Sequence, residues 1–244
     1  MRSMKPAALI FDVDGTLAET EELHRKAFNA AFKEAGLNWI WDCSVYGELL
    51  RTTGGKERIT VYANLIGEKA IDVPTLHRRK TEIYRKMVTS TSLELRPGVK
   101  RLIDIAYKQS IPMAIATTTT RSNVDALIAA TLGGRVENWF MSVRCGEDVV
   151  HKKPHPEVYE RVLHDLRVSA HQCWAFEDSR VGLEAALAAG MPTVVTPSLY
   201  TQTDDFSGAT LMLSDLATPY SALIYRGHAQ LHAVPSALIP LFGH

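Results

Sequence analysis

What most constrains this chain is a set of very short apolar runs that stop abruptly at polar clusters. The first is Ala7-Ala8-Leu9-Ile10-Phe11, which runs directly into Asp12-Val13-Asp14-Gly15-Thr16. A run that is short, apolar on both faces and closed by a glycine turn reads as a strand buried within a parallel sheet. Comparable runs occupy residues 113–116, 173–176 and 193–195. Between them lie helical patterns at 99–109, 122–132, 157–166 and 181–189. Strands alternating with helices imply an α/β fold, a doubly wound parallel sheet with right-handed crossovers.

Residues 19–95 interrupt this alternation. They read as wholly helical, with helices expected at 21–35, 45–50, 56–65 and 75–88, and Arg96-Pro97-Gly98 marks the return to the α/β pattern. The expected division is therefore a core of residues 1–18 and 96–244 and a helical cap of residues 19–95. Hinges are expected near residues 16–18 and 96–98. A cap inserted after the first strand lies over that strand's carboxyl end, where such sheets bind ligands. The tail beyond Ser214 reads as a closing helix followed by an apolar segment.

Composition narrows the function. Lys and Arg total 27, as do Asp and Glu, so the net charge is zero. That argues against a general nucleic-acid binder or a membrane-surface binder, which would carry a basic excess. Cys43, Cys145 and Cys173 lack paired spacing, which suits a reducing compartment and offers no zinc motif. The first apolar run is too short for a signal peptide or membrane span, so a cytoplasmic monomer is expected.

Four polar clusters are read at strand ends. Asp12 and Asp14 can face one small site, although Asp-x-Asp-Gly also builds ordinary turns. Hydroxyls from Thr117 to Thr120 could donate to phosphoryl oxygens, or simply precede a helix capped by Ser122 with Asp125. Lys153, before Pro154, is held in an extended segment, although loop lysines are usually just exposed. Glu177 and Asp178 repel one another unless a cation lies between them and the first pair, or they serve as acids at a helix start.

Taken together, Asp12-Val13-Asp14-Gly15-Thr16, Thr117, Lys153-Pro154 and Glu177-Asp178-Ser179, with Gly182 and Ala188-Ala189-Gly190-Met191, resemble the motifs of the haloacid dehalogenase (HAD) superfamily. The resemblance spans the core from end to end and implies phosphoryl transfer. Asp12 would be the nucleophile and Asp14 the general acid and base. Thr117 and Lys153 would bind the phosphoryl oxygens. Mg2+ would be held by Asp12, the Asp14 backbone carbonyl and Asp178, with Glu177 supporting the metal shell.

The run Glu19-Thr20-Glu21-Glu22-Leu23-His24, with Thr53-Gly54-Gly55-Lys56-Glu57-Arg58-Ile59, is similar to the CbbY branch of sugar-bisphosphate phosphatases, itself close to β-phosphoglucomutases. That resemblance implies substrate contacts from Glu21, His24, Gly54, Gly55, Lys56, Arg58 and Lys80, with Thr118 and Thr119 in the core. It implies a small phosphorylated sugar, foremost xylulose 1,5-bisphosphate. Lys56, Arg58 and Lys80 are then expected to hold a second anionic group. Two alternatives remain at this point. A mutase of the β-phosphoglucomutase type shares the nucleophile and metal, and a non-catalytic phospho-ligand-binding protein shares the fold.

Overall fold

A computed structural model describes residues 5–217. The expected closing helix falls, past Ala217, outside the described residues.

The sheet begins with β1 (Ala8–Phe11), buried along its whole length. Leu9 and Phe11 pack into one apolar cluster, and Ala8 and Ile10 into another on the opposite face. This two-sided burial explains the uninterrupted apolar run. Truncating Phe11 to alanine would cost ~3–5 kcal/mol. β2 (Met113–Ala116) and β4 (Cys173–Glu177) flank β1 in parallel. β3 (Ser142–Arg144) lies beyond β2, while β5 (Thr193–Val195) and β6 (Leu211–Met212) lie beyond β4. The order is β3-β2-β1-β4-β5-β6, and every pairing is parallel.

Register sets the site. Phe11 is level with Ile115 on one side and Phe176 on the other. The residues that follow each strand therefore emerge together at one edge. The Phe11 and Phe176 rings stack 4.7 Å apart beneath that edge.

Four helices, α1 (Glu21–Glu34), α2 (Cys43–Leu49), α3 (Gly55–Leu65) and α4 (Val73–Ser90), fill the chain between β1 and Arg96. They share an apolar cluster of their own, centred on Phe28, Phe32, Trp41, Tyr46 and Tyr84. On α1 the buried stripe is His24, Ala27, Phe28, Ala31 and Phe32, a helical period ending at Ala35. α4 opens on Asp72, which accepts from the Thr75 amide, and buries Leu76, Lys80, Ile83, Tyr84 and Val88. The two chain crossings meet where the Arg96 amide donates to Leu17 O at 2.8 Å. The Arg96 side chain is buried and donates to Gly15 O, to Thr196 O at 2.6 Å and to Pro197 O at 2.7 Å, and it pairs with Glu19.

The remaining helices are α5 (Val99–Lys108), α6 (Arg121–Thr131), α7 (Glu157–Leu166) and α8 (Arg180–Ala188). Three readings change. Lys153 follows β3, a strand the sequence did not reveal. Ser122 and Asp125 do not cap α6, which starts one residue earlier, and Asp125 instead pairs with Arg121. The acids before α8 do not cap it either, because Ser179 does so by accepting from the Gly182 amide.

Candidate active site

A cleft of about 810 Å3 lies between the carboxyl edge of the sheet and α1–α4. Asp12 and Asp178 line its floor and, with the buried Glu177, form a cluster of three carboxylates, each offering an oxygen within 4.8 Å of the others. Gly15 makes this convergence possible: its φ is +84°, and a Cβ there would strike the Asp178 carboxylate. Lys153 threads between the acids, with Nζ 2.6 Å from Asp12 Oδ1 and 2.7 Å from Glu177 Oε1. Its ammonium sits 5.1 Å from the centre of the Tyr159 ring, and the Tyr159 hydroxyl donates to Glu177.

Charge is unbalanced here. Burial, helped by Glu177, pushes Asp12 up to about 7 although Lys153 opposes the shift. Burial, followed by Asp12 and Glu177, holds Asp178 well above the carboxylate range. Burial works against a charge on Lys153, but Asp12 and Glu177 outweigh it and keep the ammonium protonated. Among the described residues Glu177 Oε2 is buried without a hydrogen-bond partner. An oxygen-only donor set with surplus negative charge fits a hard divalent cation such as Mg2+.

Asp14 faces the other way. Thr20 donates to its Oδ1 at 2.6 Å, and His24 Nε2 lies 3.0 Å from the same oxygen. Thr20 precedes α1 but makes no cap bond, because its hydroxyl is committed to Asp14. Lys80 Nζ lies 2.5 Å from His24 Nδ1, so the lysine donates to that nitrogen and the Nε2 proton points at Asp14. The His24 ring stacks on Tyr84 at 3.9 Å, and Lys80 lies 4.4 Å from the centre of the Phe28 ring. Burial would raise the Asp14 pKa, but His24 and Thr20 more than offset it and hold the group well below the usual range. Burial pulls Lys80 down to about 7.

Thr117 is buried at the end of β2, its amide bonded to Arg144 O at 3.0 Å, and Thr118 and Thr119 line the cleft beside it. Glu21, Gly54, Gly55, Lys56 and Arg58 also line it. Gly54, at φ +90°, opens α3. Arg58 is buried and committed: it donates to Leu49 O at 3.1 Å and to the Tyr46 hydroxyl at 3.0 Å, and Tyr46 in turn donates to Glu21 at 2.6 Å. Lys56 is exposed at the cleft, so the three expected cap cations occupy different environments.

Several cleft residues escaped the sequence reading. Tyr46 orients Glu21, and His77 lies against Gly55, held neutral by burial and by Lys80, Lys56 and Lys152. Asn123 donates to Thr119 Oγ1 at 3.1 Å. Thr53 donates to Lys153 O, and Glu57 pairs with Lys152, joining α3 to the loop that carries Lys153. Of these, Lys152 stood beside Lys153, and Thr53 and Glu57 stood within the run around Gly54-Gly55, but none was given a role of its own.

Comparison with known proteins agrees with this fold. The sequence profile of the haloacid dehalogenase-like hydrolases matches residues 9–196. The chain is 50% identical to protein CbbY of Rhodobacter capsulatus over 216 residues, covering 88% of this chain and 95% of that protein. It is 33% identical to a fructose-1-phosphate phosphatase of Escherichia coli K12, covering 77% and 95%. A mutant of CbbY from Rhodobacter sphaeroides, crystallised with xylulose 1,5-bisphosphate, superposes with a TM-score of 0.85 at 42% identity, covering 87% and 95%. Among the described residues no helix is long and apolar enough to cross a membrane.

Proposed function

The chain belongs to the haloacid dehalogenase-like hydrolases and is a phosphatase of that family; we propose that it is Mg2+-dependent and hydrolyses a small sugar bisphosphate, foremost xylulose 1,5-bisphosphate, through a phosphorylated Asp12. One observation carries this reading: two aspartates two residues apart have opposite surroundings. Asp12 is buried among acids beside Lys153, while Asp14 is held by Thr20 and His24.

An Asp12 oxygen attacks phosphorus in line, forming an acyl phosphate as the bond from phosphorus to the sugar oxygen breaks. Asp14 delivers a proton to the leaving alkoxide. The arriving phosphate dianion raises the proton affinity of Asp14, opposing the pull of His24. Asp14 then takes a proton from the water that attacks phosphorus, which frees phosphate and restores Asp12. Lys153 and the Thr117 hydroxyl stabilise the charge on the transferring group. Asp12, Asp178 and the Asp14 carbonyl would hold the metal, supported by Glu177; when bound, the ion neutralises charge between nucleophile and phosphate.

Residues 19–95 act as a cap over this chemistry, hinged near 16–18 and 96–98. Their own apolar cluster and the Leu17–Arg96 backbone bond support that division. The distal anion falls to Lys56, with Arg51 and Lys152 on the same cleft wall. Arg58 acts through Tyr46 and Lys80 acts through His24.

The test is phosphate release with Mg2+ across sugar mono- and bisphosphates, run on wild type and Asp12→Asn. Wild type should prefer a bisphosphate, and Asp12→Asn should fold normally but be inactive. Phosphoenzyme labelled at Asp14 with Asp12→Asn still active would refute the assignment. Dependence on an added bisphosphate activator, with little free phosphate, would indicate a mutase instead.

A further inference from the structure

The loop that carries Lys153 has a second group of metal-ligand side chains on its outer side. His151 and His155 stand two residues before and two after Lys153, and Glu157 opens α7. The two imidazole rings lie 4.7 Å apart at their centres, and His151 Nδ1 is 3.2 Å from Glu157 Oε2. One ligand atom from each of the three lies within 4.8 Å of the others.

We infer that His151, His155 and Glu157 form a second metal site, for a borderline transition ion such as Zn2+, on the outer side of the loop holding Lys153, and that its occupancy draws on that loop. The donor set decides the ion. Two imidazoles and a carboxylate suit Zn2+, Ni2+ or Cu2+, whereas the all-oxygen cluster of Asp12, Glu177 and Asp178 suits Mg2+. The two sites therefore sort metals by ligand type.

The Glu157 carboxylate is already oriented. It accepts from the His151 amide at 2.8 Å and the Val150 amide at 3.2 Å, and Arg161 donates to Oε1 at 2.7 Å. Such outer contacts fix a ligating carboxylate and are a usual part of metal sites. Both imidazoles are exposed, and each is already engaged with Glu157: His151 Nδ1 meets its carboxylate, and His155 Nδ1 accepts from its amide at 3.2 Å. Atoms bound to one tetrahedral zinc stand roughly 3.3 Å apart. Gathering His151 and His155 onto one ion therefore contracts the segment between them. Lys153 lies in that segment and holds both Asp12 and Glu177. Occupancy of the outer site thus shifts Lys153 and slows turnover without touching substrate.

The experiment uses the untagged full chain with excess Mg2+. Co2+ is titrated by its visible absorption, and Zn2+ by equilibrium binding and by its effect on kcat. The expected result is one transition ion per chain, bound at least about tenfold more weakly in His151→Ala and in His155→Ala, tenfold being the lower end of what even an outer partner of a ligand contributes. Both variants should keep wild-type activity in Mg2+ alone and lose part of the Zn2+ inhibition. Asp178→Ala should leave the outer site's affinity unchanged. The inference is overturned if no ion binds, if binding is equal in wild type and both histidine variants, or if it disappears only in Asp178→Ala. Binding at the histidines with unchanged kcat would refute the coupling to Lys153.

Discussion

Replacing Lys80 with methionine should make the protein more stable and less active. Lys80 lies on the buried stripe of α4, only 4% exposed, and burial lowers its pKa from 10.5 to about 7. At about 1.4 kcal/mol per pKa unit, the buried charge opposes folding by something on the order of 5 kcal/mol. Methionine keeps the chain volume and the contact with Phe28, but it leaves His24 Nδ1 without its donor, a loss of ~1–3 kcal/mol. The variant should therefore be ~2–4 kcal/mol more stable at pH 6, raising Tm by several degrees. The sign follows from proton counting. Between about pH 7 and 10.5 the unfolded lysine is protonated and the folded one is not, so wild-type stability rises with pH. The advantage of methionine is thus full below pH 7 and fades across that window. Catalysis should move the other way. Without Lys80, His24 loses the charge-assisted bond that orients it on Asp14, worth ~1.5–3 kcal/mol, so kcat should fall about ten- to a hundredfold with little change in KM. Thermal unfolding at pH 6 and pH 9, with steady-state phosphate release, measures both effects. Unchanged kcat, or a variant less stable than wild type at pH 6, would refute the reasoning.

Three further outcomes follow from the floor of the cleft. Gly15→Ala should abolish activity while leaving most of the fold intact by circular dichroism, because the added methyl displaces the Asp178 carboxylate and φ is +84°. Asp178→Ala should raise the Mg2+ concentration for half-maximal activity at least about tenfold, and Ca2+ should inhibit wild type because its looser coordination misplaces the in-line groups. Tyr159→Phe should keep its Tm within a few degrees but lose about three- to tenfold in kcat, since one buried hydrogen bond to Glu177, worth ~1 kcal/mol, no longer positions the partner of Lys153.

What the sequence revealed follows burial. The four strands read in advance are fully buried, so each shows as a continuous apolar run, and all of the core site residues but Lys153 sit at the ends of three of them. The two missed strands lie at the edges of the sheet. There one face is partly open, and Ser142-Val143-Arg144 and Leu211-Met212 are too short or too polar to show a pattern. The helices of the insert were legible from their period, and Asp72 and Pro74 mark the start of α4. Placement of its charges was not. Arg58 and Lys80 were read as cations facing a ligand, yet each is buried and bonded to a neighbour. Lys80 did leave a trace, because a lysine in register with Leu76, Tyr84 and Val88 stands on an apolar stripe and needs a partner. Tyr46, Asn123 and Tyr159 left none, since a buried polar side chain looks like any other core position until its partner, distant in sequence, is known.

The cleft separates two aspartates that the chain places two residues apart. Asp12 belongs to the sheet: its amide bonds to Phe176 O, and its carboxylate joins Glu177, Asp178 and Lys153. Asp14 belongs to the helices: its carboxylate is held by Thr20 and His24, and through His24 by Lys80 on α4. Groups whose surroundings drive their proton affinities apart take up different roles in one reaction. Here the division also decides when the chemistry is complete. In the proposed reaction the nucleophile and phosphate-binding groups stand at the carboxyl edge of the sheet, with α3 touching the loop of Lys153, whereas the proton-transfer group is tuned where α1 and α4 meet it. The proposed reaction is thereby tied to a covered cleft. In the proposed reaction a phosphorylated Asp12 would meet a water activated by Asp14 only while His24 and Lys80 stand over it, so the helices proposed to choose the substrate would also complete the acid–base chemistry.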